Sequence, residues 1–344
     1  MTSQAANAPL RLHYNENTAG CSSTVLDALH AMTREDVGRY PEIGDLTRQV
    51  ERWFGVGTGG ALVTNGLDEG LQIVAQFGAW HSARVERPEC IVVEPAFEVY
   101  EACAIGVAAS LVRIPPQADF RFSIGELLDA ITPATRVIYL TDPNNPTGLG
   151  IPRGAVEAIA SAAPRALLLV DEAYADFSGR TLIGPLLDRH RNLIVGRTFA
   201  KAQGLAALRV GALIAHPETL DRLRQIQLPF SVNICAITAL SVALEDRSYL
   251  DWYVAQANAS KALVYDFCRA HGLTFWPSEA NFVLMRVGDD APAITAALAA
   301  KQVLVRDKHT SPGCAGCIRL TTGVLEHTRQ ALTALEDILA SRTR

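Results

Sequence analysis

The sequence predicts an α/β fold built on a mainly parallel sheet, followed by a smaller α+β domain. Short runs of Val, Ile and Leu recur without polar alternation, which reads as strands buried on both faces. Helix-like segments separate these runs, and such alternation calls for a parallel sheet covered by helices. Near residue 236 the pattern turns mostly helical, which predicts the second domain.

In chain order the strand candidates are ALVTNG (61–66), CIVVEP (90–95), RVIYLTDPNNP (136–146), ALLLVDEAY (166–174) and NLIVGRTFAK (192–201). Between them lie the helix candidates DEGLQIVAQFGAW (68–80), FEVYEACAIGV (97–107) and RGAVEAIASAA (153–163). The second domain opens on ITALSVALEDRSYLDWYVAQANASKALVYDFCRAHG, continues through the strands NFVLMRV (281–287) and CIRLTTG (317–323), and closes on the amphipathic LEHTRQALTALEDILASR. The expected organisation is an arm, residues 1–38, joining the small domain; a large domain, 39–236; and the small domain proper, 237–344. No internal repeat or low-complexity tract interrupts it.

Composition removes several classes of function. With 344 residues, half of them apolar, the chain is long enough for a sizeable core. A net charge of −5 implies no basic face for nucleic acid. No apolar run approaches the roughly 20 residues needed to span a bilayer. The opening MTSQAANAPLRLHYNEN lacks a charged segment followed by an apolar one, so no signal peptide is expected. Seven cysteines, an odd number, fit a reducing, cytoplasmic setting better than a disulfide framework.

Some motifs fail on context. Gly55-Val56-Gly57-Thr58-Gly59-Gly60 has dinucleotide-fingerprint spacing, but a helix precedes it and a strand follows, the reverse of what that motif needs. No Walker-type phosphate loop occurs. The eight histidines are isolated, and Cys314-Ala-Gly-Cys317 lacks a second pair, so no metal is expected.

In open α/β sheets a ligand sits beyond the carboxyl ends of the strands. Those ends carry Asn65, Gly66, Asp142, Asn144, Asn145, Asp171, Thr198 and Lys201. Taken singly, Asp171 fits a helix cap, Asn145 a turn, Lys201 a surface lysine, and Arg209 an ion pair. Together they match one chemistry, that of a pyridine aldehyde cofactor. Such a cofactor needs an amine to bond its aldehyde carbon and a carboxylate to keep the ring nitrogen protonated. It also needs donors at the phenolic oxygen and an anion cup for its phosphate. Lys201, Asp171, Asn145 with Tyr174, and Arg209 with Thr198 supply these in turn. The helix opening at Gly66-Leu67-Asp68 adds backbone amides. Only four of the 31 basic residues are lysines, so an amine within RTFAKAQGLAALRVG is a chemical choice, because lysine loses its proton on desolvation and arginine does not.

RYPEIGDLTRQV, TNGLDEGL, DPNNPTG, VDEAY and RTFAKAQGLAALRVG stand in the order and spacing of the fold-type I aminotransferases that use pyridoxal 5'-phosphate. From LHYNENTAG (12–20) to CIRLTTGVLEHTRQAL (317–332) the chain resembles this family, and within it the histidinol-phosphate aminotransferases. The resemblance implies a seven-stranded, mainly parallel sheet between helices, an amino donor and a keto acceptor as substrates, and a homodimer. It also implies that Tyr40 reaches the neighbour's cofactor phosphate, that Phe97 stacks on the pyridine ring, and that Arg319, Arg306 and Asn17 hold the substrate. Two departures from the family pattern stand out: Ala200 replaces a phosphate-binding hydroxyl, and Thr18-Ala19 replace a proline and an aromatic that walls the substrate pocket. Alternatives are an aromatic or other amino-acid aminotransferase, a threonine-phosphate decarboxylase (suggested by LPFSVNICA, 228–236), and a non-catalytic binding module of the same fold.

Overall fold

The computed structural model describes residues 8–80 and 87–342. The first seven residues of the N-terminal stretch read for a leader lie outside the described residues. Strands follow the chain as β1 (Leu10–Leu12), β2 (Ala61–Thr64), β3 (Glu89–Val93), β4 (Ser110–Ile114), β5 (Thr135–Thr141) and β6 (Leu167–Asp171). After these come β7 (Leu193–Thr198), β8 (Gly211–Ala215), β9 (Thr274–Phe275), β10 (Phe282–Arg286), β11 (Val303–Asp307) and β12 (Cys317–Thr321).

Among the described residues the larger sheet has seven strands, ordered β2-β8-β7-β6-β5-β3-β4. The pairs β3–β4, β3–β5, β5–β6 and β6–β7 are parallel, and β8 runs antiparallel to both β2 and β7. Every strand of this sheet except β8 therefore ends at one edge, and β8 begins there. Side chains alternate between the two faces of a strand. Ile138, Leu140, Leu168 and Val170 enter one core with helix Arg153–Ala162, whereas Val137, Tyr139 and Leu169 enter the other with helix Gly66–Trp80. Burial on both faces is why these runs carry no polar alternation, and each buried branched side chain contributes roughly 1.5–3 kcal/mol.

The second sheet is ordered β1-β11-β12-β10-β9, with β1 parallel to β11 and the other pairs antiparallel. Val283, Met285, Ile318 and Leu320 pack there against Val264, Leu332 and Leu335 from helices Arg247–Ala270 and Leu325–Arg342. The arm contributes β1 to this sheet, yet Val25 of helix Ser23–His30 lies in the core of the larger one. The limit drawn after residue 236 falls inside helix Ile234–Ala243, whose Ala239 and Leu240 also belong to the larger core. Gly55 to Gly60 join helix Gly44–Phe54 to β2, the order that excludes a dinucleotide fingerprint. Among the described residues no helix is long and apolar enough to cross a membrane, and no cluster of ligating side chains is placed to hold a metal ion.

Candidate active site

At the shared strand edge lies a cavity of about 270 Å³. Of the residues singled out in the sequence, Leu67, Asp68, Phe97, Asn145, Asp171, Tyr174, Thr198, Lys201, Arg209, Arg306 and Arg319 line it together. They come from both sheets, so the site sits where the second sheet closes over the first.

Asp171 ends β6 and is 4% exposed. Its two oxygens accept from the Tyr100 hydroxyl at 2.8 Å and the Ala173 amide at 2.9 Å. Tyr100 in turn shares a 2.6 Å hydrogen bond with the Thr141 hydroxyl and stacks on Tyr139. No ion pair joins Asp171 to a cation among the described residues, and burial lifts its carboxyl from 3.8 to about 6. A buried anion with donors but no counter-ion is a seat for a cation facing the cavity.

Lys201 follows β7. Its Nζ donates to the Tyr14 carbonyl at 3.0 Å and lies 5.9 Å from the centre of the Tyr174 ring. Burial first, then repulsion from Arg319, lowers its ammonium to about 8, so a neutral amine is accessible near neutral pH. Tyr174 is 4% exposed; its hydroxyl accepts from Asn15 Nδ2 at 3.0 Å, and burial raises its pKa. Asn145 Oδ1 accepts from Arg319 at 2.5 Å, which leaves its Nδ2 as the end able to donate to a ligand.

One end of the cavity is built for an anion. Gly66 opens helix Gly66–Trp80 with φ +70°, and a Cβ there would stand 2.6 Å from the Arg209 guanidinium. The left-handed backbone favours glycine, and its missing Cβ leaves room for the arginine to approach the helix N-terminus. Arg209 is held by Asp68 at 2.5 Å, and Thr198 Oγ accepts from the Ala200 amide at 3.2 Å. Ala200 lines the cavity without a hydroxyl to add.

The other end carries Arg306 and Arg319, which face each other across β11 and β12. Arg319 is 5% exposed, donates to the His13 carbonyl at 2.7 Å, and lies 5.2 Å from the Phe282 ring centre. Its Nε is buried without a hydrogen-bond partner. Such an orphaned donor marks where an acceptor belongs. Arg306 stands 3.4 Å from Glu98.

Two residues expected to touch the substrate or a cofactor phosphate lie elsewhere. Asn17 is placed outside this cavity: its Nδ2 donates to Ala202 O at 2.9 Å and Tyr249 OH at 3.2 Å, and its Oδ1 accepts from Ala19 N at 2.9 Å. With both polar atoms engaged, it ties the N-terminal turn to the loop after Lys201, while Asn15 takes the cavity position. Tyr40 is 78% exposed and stacks on Phe230, 4.5 Å between ring centres, away from the cavity of its own chain. Sequence reading missed Tyr14, Asn15, Tyr100, Thr141 and Lys308. The signal for Tyr100 was available, three residues beyond Phe97, where a helix turns its side chain towards the same end of the sheet.

The described geometry coincides with a known family. The model for aminotransferases of class I and II matches residues 9–335. The chain belongs to the class I and II aminotransferases. It is 35% identical to histidinol-phosphate aminotransferase 2 of Ralstonia nicotianae, over 96% of this chain and 89% of that one. It is 31% identical to histidinol-phosphate aminotransferase of Bacillus subtilis, over 96% and 91%. The solved histidinol-phosphate aminotransferase of Sinorhizobium meliloti, in complex with pyridoxal-5'-phosphate, superposes with a TM-score of 0.86 at 25% identity, over 96% and 91%. The enzyme is a pyridoxal-phosphate-dependent transaminase with the fold of that family. The donor set fits this cofactor: an unpaired buried carboxylate, an amine of lowered basicity, and a glycine-cradled arginine at a helix N-terminus stand around one cavity.

Proposed function

We propose that the enzyme moves an amino group reversibly between two amine/keto pairs, glutamate with 2-oxoglutarate and histidinol phosphate with imidazole acetol phosphate. The observation that carries this reading is the Arg306–Arg319 pair at the end of the cavity away from Arg209. Like charges directly opposite in a sheet are unfavourable. A dianion between them repays that cost, and the names of the relatives point to the same substrate.

When bound, pyridoxal phosphate supplies an aldehyde carbon that accepts the amino group and a ring that stores the electron pair of the α-carbon. Lys201 would hold that aldehyde carbon, and its amine of lowered basicity would move the proton at the substrate α-carbon. Asp171 would keep the ring nitrogen protonated, Asn145 and Tyr174 would donate to the phenolic oxygen, and Phe97 would cover the ring. Gly66, Leu67, Asp68, Thr198 and Arg209 would hold the phosphate. Tyr40 fits a role across a homodimer, since its exposed ring faces away from its own cavity. A cytoplasmic location accords with cysteines that are all free among the described residues.

The test is a panel of amino donors scored by the spectral change of the holoenzyme. Histidinol phosphate should convert it to the amine form faster than phenylalanine or tyrosine. A preference for the aromatic amino acids sinks the substrate assignment, and release of carbon dioxide from phosphothreonine replaces it with a decarboxylase.

A further inference from the structure

Lys308 sits two residues beyond Arg306, and alternate residues of an extended segment face the same side. It is 8% exposed and lines the central cavity with Arg306 and Arg319. Its backbone amide donates to Cys317 O at 3.0 Å, so it continues the β11–β12 pairing by one step. The loop beyond is stapled by the bonds Ser311 N to Lys308 O, Cys314 N to Ser311 O, and Cys317 N to Cys314 O, each 2.9 Å. That leaves the lysine little freedom to swing out.

Its ammonium has a poor partner for so buried a charge. Nζ reaches only the Ser311 hydroxyl, at a long 3.4 Å, and no ion pair forms with a carboxylate among the described residues. Asp307 accepts from the His309 amide, on the alternate side of the strand. Glu98 lines the same cavity; it contacts Arg306 at 3.4 Å and its side chain is 76% exposed. Solvent screens so exposed a carboxylate strongly. Burial and the charge of Arg319 lower the Lys308 pKa. Three cations thus line one cavity, and the carboxylate that contacts this group, Glu98, is well solvated. A protein that spends arginine almost everywhere places one of its four lysines here.

Resting on the proposed function, we infer that Lys308 is a third anion-binding side chain at the substrate end, and that it sets the preference for a phosphate ester over a singly charged group. Arg306 and Arg319 hold two edges of the phosphate, and the lysine meets the third oxygen as a compact point charge.

The test compares wild-type holoenzyme with Lys308→Met and Lys308→Arg, using histidinol phosphate, unphosphorylated histidinol, and inorganic phosphate as probes. Lys308→Met should raise KM for histidinol phosphate about tenfold or more while kcat stays within about twofold. Histidinol should be unaffected, and Lys308→Arg should recover much of the phosphate preference. Inorganic phosphate should raise the Tm of the wild type and of Lys308→Arg more than that of Lys308→Met. Equal losses on both substrates, or an unchanged phosphate effect on Tm, overturn the inference. A wild type that ignores the phosphate group of the substrate overturns the proposed function instead, and the inorganic-phosphate arm still decides the role of Lys308.

Discussion

Replacing Asp171 by Asn should make the cofactor-free protein more stable at pH 8 while it cripples the enzyme. Asp171 is buried without a counter-ion, and its pKa rises from 3.8 to about 6. Each pH unit is worth about 1.4 kcal/mol, so keeping the carboxylate ionised costs the empty fold roughly 3 kcal/mol at pH 8. The sign follows from proton binding. Between about pH 4 and 6 the folded chain holds this proton more tightly than the unfolded one, so stability falls as pH rises through that window. An asparagine carries no such cost. Its shape fits, because the Tyr100 hydroxyl can donate to Thr141 and accept from the new amide, while the Ala173 amide keeps its oxygen acceptor. Thermal unfolding of cofactor-free Asp171→Asn and wild type, from pH 4 to pH 8, reads the effect. The variant's Tm advantage should be a few degrees at pH 8 and vanish near pH 4. With cofactor bound the order should invert, and kcat/KM should drop by about a hundredfold or more. A Tm difference that does not change with pH, or a wild type more stable at pH 8 without cofactor, refutes the unpaired-anion reasoning.

Ala200→Ser should tighten cofactor binding by about 1 kcal/mol, roughly fivefold, in equilibrium titrations; no gain would show that the position does not face the phosphate. Arg197→Met should destabilise the fold by about 3–5 kcal/mol in urea. It strands buried Glu172 and removes the 2.6 Å bond to Asp176, so an equally stable variant refutes the ion-pair account. Because burial brings the Lys201 ammonium of the cofactor-free chain to about 8, capture of pyridoxal phosphate by the cofactor-free protein, followed by its absorbance, should quicken as pH rises through that region and the amine loses its proton. A capture rate that falls there removes Lys201 as the amine that meets the aldehyde.

The buried strands were legible because covered faces leave an unbroken apolar run. Harder cases were β8, whose Gly-Ala-Leu-Ile-Ala carries little β-branched signal, and β4, a half-covered edge strand. β1 was too short to show a period. Around the cavity, Lys201, Asp171, Asn145, Tyr174 and Arg209 were legible as a group because they stand at or just beyond successive strand ends, which the fold brings together. Asn15 and Asn17 could not be told apart by type. What separates them is a positive φ of 55° at Asn15, which turns its amide to Tyr174, while Asn17 bonds the loop behind. Arg197 had no assignable role in sequence. The pleat sends it to the side opposite its neighbour Thr198, over the Phe54 ring at 4.9 Å and onto two carboxylates. Lys308 was hidden because neither its burial nor the approach of Arg319 from β12 can be read from the residues around it.

The reversal of β8 fixes a length. Lys201 leaves the sheet at the end of β7, and Arg209 stands two residues before it re-enters at Gly211. The connection between them is clamped from outside: Asn17 bonds Ala202 O, and Gly204, at φ +75°, lies so close to the arm that a Cβ would meet Gly20 O at 2.2 Å. Amine and guanidinium are therefore the two jaws of a caliper whose opening is set by loop length and by the arm pressed against it. Side chains within the loop are open to exchange wherever space allows. Its residue count is the quantity that a ligand with an aldehyde at one end and a phosphate at the other would have to match.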